Sequence, residues 1–218
     1  MTQATQNIVN VDVGEVALEG ELTLPENARG IVVFAHGSGS SRHSPRNKAV
    51  AAQLREGPIG TLLIDLLTEE EEQVDLRTRE LRFDIDMLAE RVVGATDWLA
   101  QQEQTSALKV GLFGSSTGAA AALKAAAARP DRVGAVVSRG GRADLAGNAL
   151  PDVEAPTLLI VGGKDEPVIG MNKEAQQRLN AENELDIVEG ASHLFEEPGK
   201  LDEVAALARD WFVRYIGS

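Results

Sequence analysis

Cysteine is absent from the 218 residues. That excludes disulfides, thiolate metal centres and a cysteine nucleophile, and it fits a reducing compartment better than a secreted one. Histidine is scarce: only His36, His43 and His193 occur. No apolar run approaches the ~18 residues needed to span a bilayer. The polar start, Met1 to Asn10, lacks the basic-then-apolar pattern of a signal peptide. A soluble, cytoplasmic protein is the expectation. Basic residues are outnumbered, 21 against 34 acidic, for a net charge of −13. Nucleic acid and anionic membranes would be repelled by such a chain, so neither is expected as a partner. No cluster of His, Asp or Glu has metal-ligand spacing, and no cofactor is expected. The sequence carries no signal for an oligomeric state.

What is present is a regular alternation of short apolar runs and helical patterns. Residues 8–24 alternate apolar and polar about Gly14, which predicts a hairpin of half-exposed strands. Ile31–Ala35, Thr61–Ile64, Val110–Phe113, Val133–Val137 and Thr157–Val161 do not alternate. Strands covered on both faces read this way, as in parallel sheets. A further strand is expected near Leu185–Val188. Between them the pattern predicts helices from Ser44-Pro45 to about Arg55, from Leu81 to about Gln102, over Thr117–Arg129, over Asn172–Leu179 and from Leu201 to Tyr215. Glu69–Glu72 reads as a solvated loop or a first helical turn. The result is one α/β domain over residues 1–218, a mostly parallel sheet of about eight strands with helices on both faces.

In such sheets the active residues lie in loops at the carboxyl ends of strands. After Val110–Phe113 comes Gly114-Ser115-Ser116-Thr117-Gly118. This is G-x-S-x-G between a strand and a helix, the context of a nucleophile elbow in an α/β-hydrolase fold. Ser116, not Ser115, has glycine two residues to either side. A serine hydroxyl needs a base, and the base an orienting acid. The chain order in this fold is serine, acid, histidine, and His193 is the only histidine after Ser116. The first carboxylate past Thr157–Val161 is Asp165, with Glu166 and Asp144 as competitors. Two backbone N–H groups are needed for an oxyanion. Thr117 should supply one. The glycine-rich loop after Ile31–Ala35 should supply the other, from Ser38 or, alternatively, Gly39. His36, too early in the chain for the base, is expected to brace that loop.

Beyond this reading, the segments HGSGSSRHSPRN (36–47), LLIDLLTEEEE (62–72), GLFGSSTGAAAAL (111–123), VSRGGR (137–142), LLIVGGKDEPV (158–168) and GASHLFEEPG (190–199) resemble the dienelactone-hydrolase-like branch of the α/β-hydrolases. The resemblance spans nearly the whole chain. It implies Ser116 as nucleophile, Asp165 as acid and His193 as base. Authentic dienelactone hydrolases carry cysteine at the nucleophile position, and this sequence carries serine.

The expected activity is therefore hydrolysis of small carboxylic esters through an acyl-enzyme on Ser116, with lactones, dienelactone among them, and thioesters as alternative substrates. A non-catalytic member of the fold is the reading from a different class. Only ~18 residues separate Val137 from Thr157, room for a short connection and one helix but not for a large lid. Charge is unevenly spread. Residues 27–55 contain no acid, and Asp131 is the only acid between Gln104 and Ala143. Arg42, Arg46, Arg139 and Arg142 fall after strands, where substrate would bind. They are candidates for holding an anionic ester. The competing reading is internal pairing, for instance of Arg42 or Arg46 with Glu69–Glu72 or Asp84.

Overall fold

The computed structural model describes residues 4–218. Eight strands form one sheet in the order β1-β2-β4-β3-β5-β6-β7-β8. β1 (Ala4–Val13) and β2 (Val16–Pro25) are the expected hairpin, turning at Gly14, whose φ of 61° suits glycine. β2 pairs antiparallel with β4 (Ile59–Ile64). All further pairings are parallel: β4 with β3 (Gly30–Ala35), then β5 (Lys109–Ser115), β6 (Val133–Arg139), β7 (Thr157–Gly162) and β8 (Asn183–Val188). Crossover helices make that arrangement possible, since parallel neighbours cannot be joined by a hairpin.

The non-alternating strands are apolar on both faces because both are covered. In β3, Ile31, Val33 and Ala35 belong to one core cluster, and Val32 and Phe34 to the other. The first cluster lies under α3 (Ile85–Gln101), α4 (Thr117–Ala128) and α5 (Glu166–Arg178). The second lies under α1 (Pro45–Leu54) and α6 (Lys200–Ile216). α4 buries Ala119 to Ala122, Ala125 and Ala126. Side chains this small let it lie close against β5. A Cβ on Gly114 would sit 2.3 Å from the Cα of Ala119, and one on Gly118 would sit 2.3 Å from Ala35 O. Both glycines of the G-x-S-x-G turn are thus required by close backbone approach.

Of the two readings of Glu69–Glu72, the structure shows the helical turn: it opens α2 (Glu69–Thr78), capped by Thr68. Thr68 Oγ1 accepts from Glu71 N and Glu71 Oε2 accepts from Thr68 N, so the acidic first turn satisfies the helix end and complements its dipole. The expected helix from Leu81 is broken. Leu81–Phe83 is a single 3-10 turn, and Asp84 Oδ1 accepts from Met87 N to start α3. α5 begins several residues earlier than expected, directly after Asp165. Between β6 and β7 the chain holds only a kinked 3-10 segment, Ala143–Asp152. No helix among the described residues is long and apolar enough to cross a membrane.

Candidate active site

β5 lies between β3 and β6, with β7 and β8 beyond, so the loops that follow these strands meet along one edge. The chain winds leftward from β3 to β4 and rightward from β5 onward. The crevice above β3 and β5 is the place where such folds bind ligands.

Ser116 stands at the tip of β5 with φ 51° and ψ −122°, a conformation L-residues rarely adopt. The surroundings hold it there. Ser116 N donates to Arg139 O at 3.3 Å, and Arg142 N donates to Ser116 O at 3.0 Å. A Cβ on Gly37 would lie 3.1 Å from the Ser116 Cβ, so the loop after β3 presses directly on the turn. Ser115 is engaged otherwise: its buried hydroxyl donates to Asn47 Oδ1 at 3.0 Å.

His193 Nδ1 is 2.5 Å from Asp165 Oδ2. The two rival acids are elsewhere. Glu166 is exposed in the first turn of α5, and Asp144 forms a forked pair with Arg142 at 2.9 and 2.8 Å. Asp165 occupies the N-cap position of α5 without capping it, which leaves its carboxylate for the imidazole. His193 sits in a tight turn closed by Phe195 N donating to Ser192 O at 3.1 Å. Phe195 takes φ 56° and is fully buried, which pins that turn to the core. Ser116 and His193 line one cavity of about 180 Å³, with Gly37, Ser38, Asn47 and Arg139. No hydrogen bond joins the Ser116 hydroxyl to His193 among the described residues. Contacts of this kind tighten in the reaction complex.

Thr117 N opens α4 and has no intrahelical acceptor, as is general for a first turn. The loop Gly37–Ser40 is a turn closed by Ser40 N donating to Gly37 O at 3.1 Å, and Ser38 N is not used in it. The hydroxyls of Ser38 and Thr117 are joined at 2.9 Å, so the two elements are registered against each other. His36 braces the loop. Its Nε2 accepts from Leu66 N at 3.0 Å, which assigns the proton to Nδ1 and makes that atom the donor to Gly37 O at 2.9 Å. Burial holds its pKa below the usual imidazole value, so it is neutral.

The four candidate arginines separate into two pairs. Arg42 is bound to Asp65 through its backbone N (2.7 Å) and its guanidinium, and to Glu19 at 2.5 Å. Arg142 is bound to Asp144. Neither lines the Ser116 cavity. Arg46 and Arg139 do. The acids expected to pair with the arginines do not: Glu71 holds Arg91 and Asp84 caps α3. Sequence reasoning missed Asn47, a buried residue of α1 that accepts from both Ser115 and Arg139. It also missed Glu197, which accepts from Ser192 N and holds the His193 turn.

The family model for the dienelactone hydrolase family matches residues 18–216. A dienelactone hydrolase from Anabaena variabilis ATCC 29413 is 62% identical, with a TM-score of 0.97 over 98% of this chain and 99% of that one. A putative phosphoribosyl transferase of Mycobacterium tuberculosis is 56% identical over 208 residues, which are 95% of this chain and 46% of that protein. The chain thus spans about half the length of the curated relatives it matches. Est1E from Butyrivibrio proteoclasticus shares the fold at 14% identity, with a TM-score of 0.78 over 95% of this chain and 98% of that one.

Proposed function

This chain belongs to the dienelactone hydrolase family, and on that premise we propose that it is a serine hydrolase cleaving small carboxylic esters through an acyl-enzyme on Ser116. The observation that carries this reading is the left-handed Ser116 turn facing the Asp165–His193 pair across one cavity. His193 takes the proton from Ser116 Oγ as the oxygen attacks the ester carbonyl. The carbonyl oxygen then becomes an anion held by the Thr117 and Ser38 amides. His193 returns its proton to the departing alcohol. It next takes one from water, which attacks the acyl-serine and frees the acid. Asp165 keeps the Nδ1 proton in place and stabilises the imidazolium. Lactones would open by the same steps, and thioesters would release a thiol in place of an alcohol.

A second cavity, of about 140 Å³, lies on the other side of the oxyanion loop, and Gly37, Ser38 and Ser40 line both. Leu66, Leu67, Leu76 and Leu88 face it, which suits an uncharged arm of the substrate. The transferase name of the mycobacterial relatives refers to proteins about twice this length, and a G-x-S-x-G elbow is hydrolase chemistry. The test is a fluorophosphonate probe with a panel of short esters, lactones and thioesters. Labelling confined to Ser116, with turnover that the label abolishes, is expected. A protein that labels nowhere and hydrolyses none of the panel contradicts the proposal.

A further inference from the structure

Arg139 is a buried arginine with no carboxylate partner among the described residues. It ends β6, its residue is 6% exposed, and its register partner is Ser115, next to Ser116. Its Nη2 donates to Asn47 Oδ1 at 3.3 Å, while its buried Nε has no partner at all. Arg46 stands beside it on α1, also with a buried, unpartnered Nε. Among the described residues its only ion pair is a 3.5 Å contact with Glu196, whose side chain is 64% exposed. Burial and the neighbouring Arg46 charge lower the Arg139 pKa to about 10, which still leaves it cationic at neutral pH. Two guanidinium groups therefore face one cavity that Ser116 and His193 also line, and no carboxylate lines it among the described residues.

An uncompensated buried charge is costly, and like charges side by side add to the cost. Sites kept in this state need an anion to complete them. The geometry points to a subsite for a phosphate monoester group, carried on the arm of the substrate that lies on the Arg139 side of Ser116. A dianion matches two arginines, where a single carboxylate would neutralise one. Guanidinium forks and the amide of Asn47 match its oxygens. The cavity on the other side of the oxyanion loop cannot serve. Asp65, Glu72 and Asp75 line it, and its one arginine, Arg82, is already held by Asp75 at 2.6 Å. The charge distribution alone thus orients the substrate, with its apolar arm toward Leu66 and Leu76 and its phosphate toward Arg139. The inference rests on the ester-hydrolase reading for its catalytic consequence, but not for phosphate binding itself.

The experiment has two readouts. The first is kcat/KM for three matched short esters that differ only in a distal hydroxyl, carboxylate or phosphate. The phosphorylated ester is expected to be preferred, and Arg46→Gln and Arg139→Met to lower its advantage over the neutral ester by about 10–100-fold, the worth of a charge-assisted contact. The second is inorganic phosphate as a ligand. It should raise the melting temperature of the Ser116→Ala protein at millimolar concentration, and Arg46→Gln should abolish that rise. Arg42→Gln removes a partner of Asp65, and any change in absolute rate or stability should be alike for all three esters. It should leave the preference for the phosphorylated ester and the size of the phosphate-induced rise as they are. Because Arg46 is half-exposed, its variant stays informative if the Arg139 variant does not fold. Equal rates for the three esters with no phosphate protection overturn the subsite. A carboxylate ester that matches the phosphate ester overturns the dianion assignment. Phosphate protection without hydrolysis of any ester would keep the subsite and refute the hydrolase reading, so the two failures are distinct.

Discussion

Both carboxylate oxygens of Glu197 accept from the backbone N of Ser192, each at 3.0 Å, one residue before His193. Lys164, one residue before Asp165, reaches the same carboxylate at 3.4 Å. Glu197 therefore clamps the His193 loop and touches the Asp165 loop. The Ser192 amide, the carboxylate's own backbone N–H and Lys164 hold its pKa at about 2, well below the ordinary glutamate value of 4.5. A pKa depressed on folding stabilises the native state above the unfolded pKa, and this contribution is lost as pH falls through the folded one. The melting-temperature gap between wild type and Glu197→Gln should thus be widest above pH 4.5 and should shrink between pH 4.5 and pH 2. kcat should fall in the variant with KM nearly constant, because the imidazole is displaced. A gap that does not change with pH would show that the clamp is not ionic.

Ser116→Ala should lower kcat by at least ~10³-fold while leaving the fold intact, since only the oxyanion amides and binding remain. Ser115→Ala removes the donor to Asn47 and leaves that buried carbonyl with Arg139 alone. It is expected to lose about 1 kcal/mol of stability and to keep most of its turnover. Denaturant melts and steady-state rates on both variants check the pair. The opposite pattern would move the nucleophile to Ser115.

Asp165→Asn should lower kcat on the order of 10⁴-fold, because an amide allows the wrong imidazole tautomer. Asp144→Asn should leave kcat alone, since Asp144 is bound to Arg142 and does not reach His193. Rates across pH 5–9 test this. A silent Asp165→Asn would place the acid elsewhere.

Much of this arrangement is legible in the chain, because the signals that place it are local. The five apolar runs become the five buried parallel strands β3 to β7, and Gly114, Ser116 and Gly118 fall on one turn whose geometry admits little else. His193 stands out by scarcity, as the only histidine after Ser116, and the structure sets it 2.5 Å from Asp165. Capping chemistry was harder to read. The run of four glutamates reads as a solvated loop or as a first helical turn until Thr68 is seen to cap it, and Asp84 interrupts a periodic stretch that continues on either side. Charge pairing was not legible at all. The partners of Arg42 are Glu19 on β2 and Asp65 after β4, which are brought together only by the sheet order. Nothing in the local sequence separates that satisfied arginine from Arg139, which has no acid partner among the described residues. The same holds for Asn47 and Glu197, whose importance lies in what they touch.

The Arg42–Asp65 pair supplies the last expectation, one of stability in place of selectivity. Arg42 and Asp65 side chains are 15% and 17% exposed, so water screens the pair less than it screens the surface pairs. Asp65 also accepts from the Arg42 backbone N at 2.7 Å, which ties the loop after β3 to the end of β4. That is the loop whose Ser38 amide faces the proposed oxyanion site. Arg42→Gln leaves the Asp65 carboxylate with the backbone contact only. The expected cost is about 1–3 kcal/mol, or a drop of a few degrees in melting temperature for a domain of this size. Asp65→Asn should cost a similar amount, and the double variant less than the sum, because the second change removes a charge already orphaned by the first. Molar salt should leave most of the coupling in place, whereas an exposed pair would lose it. Thermal or urea melts of the four proteins at low and high salt measure this directly. Strict additivity would mean that the two residues act independently, and the loop would then owe its position to His36 and to the Ser38–Thr117 contact.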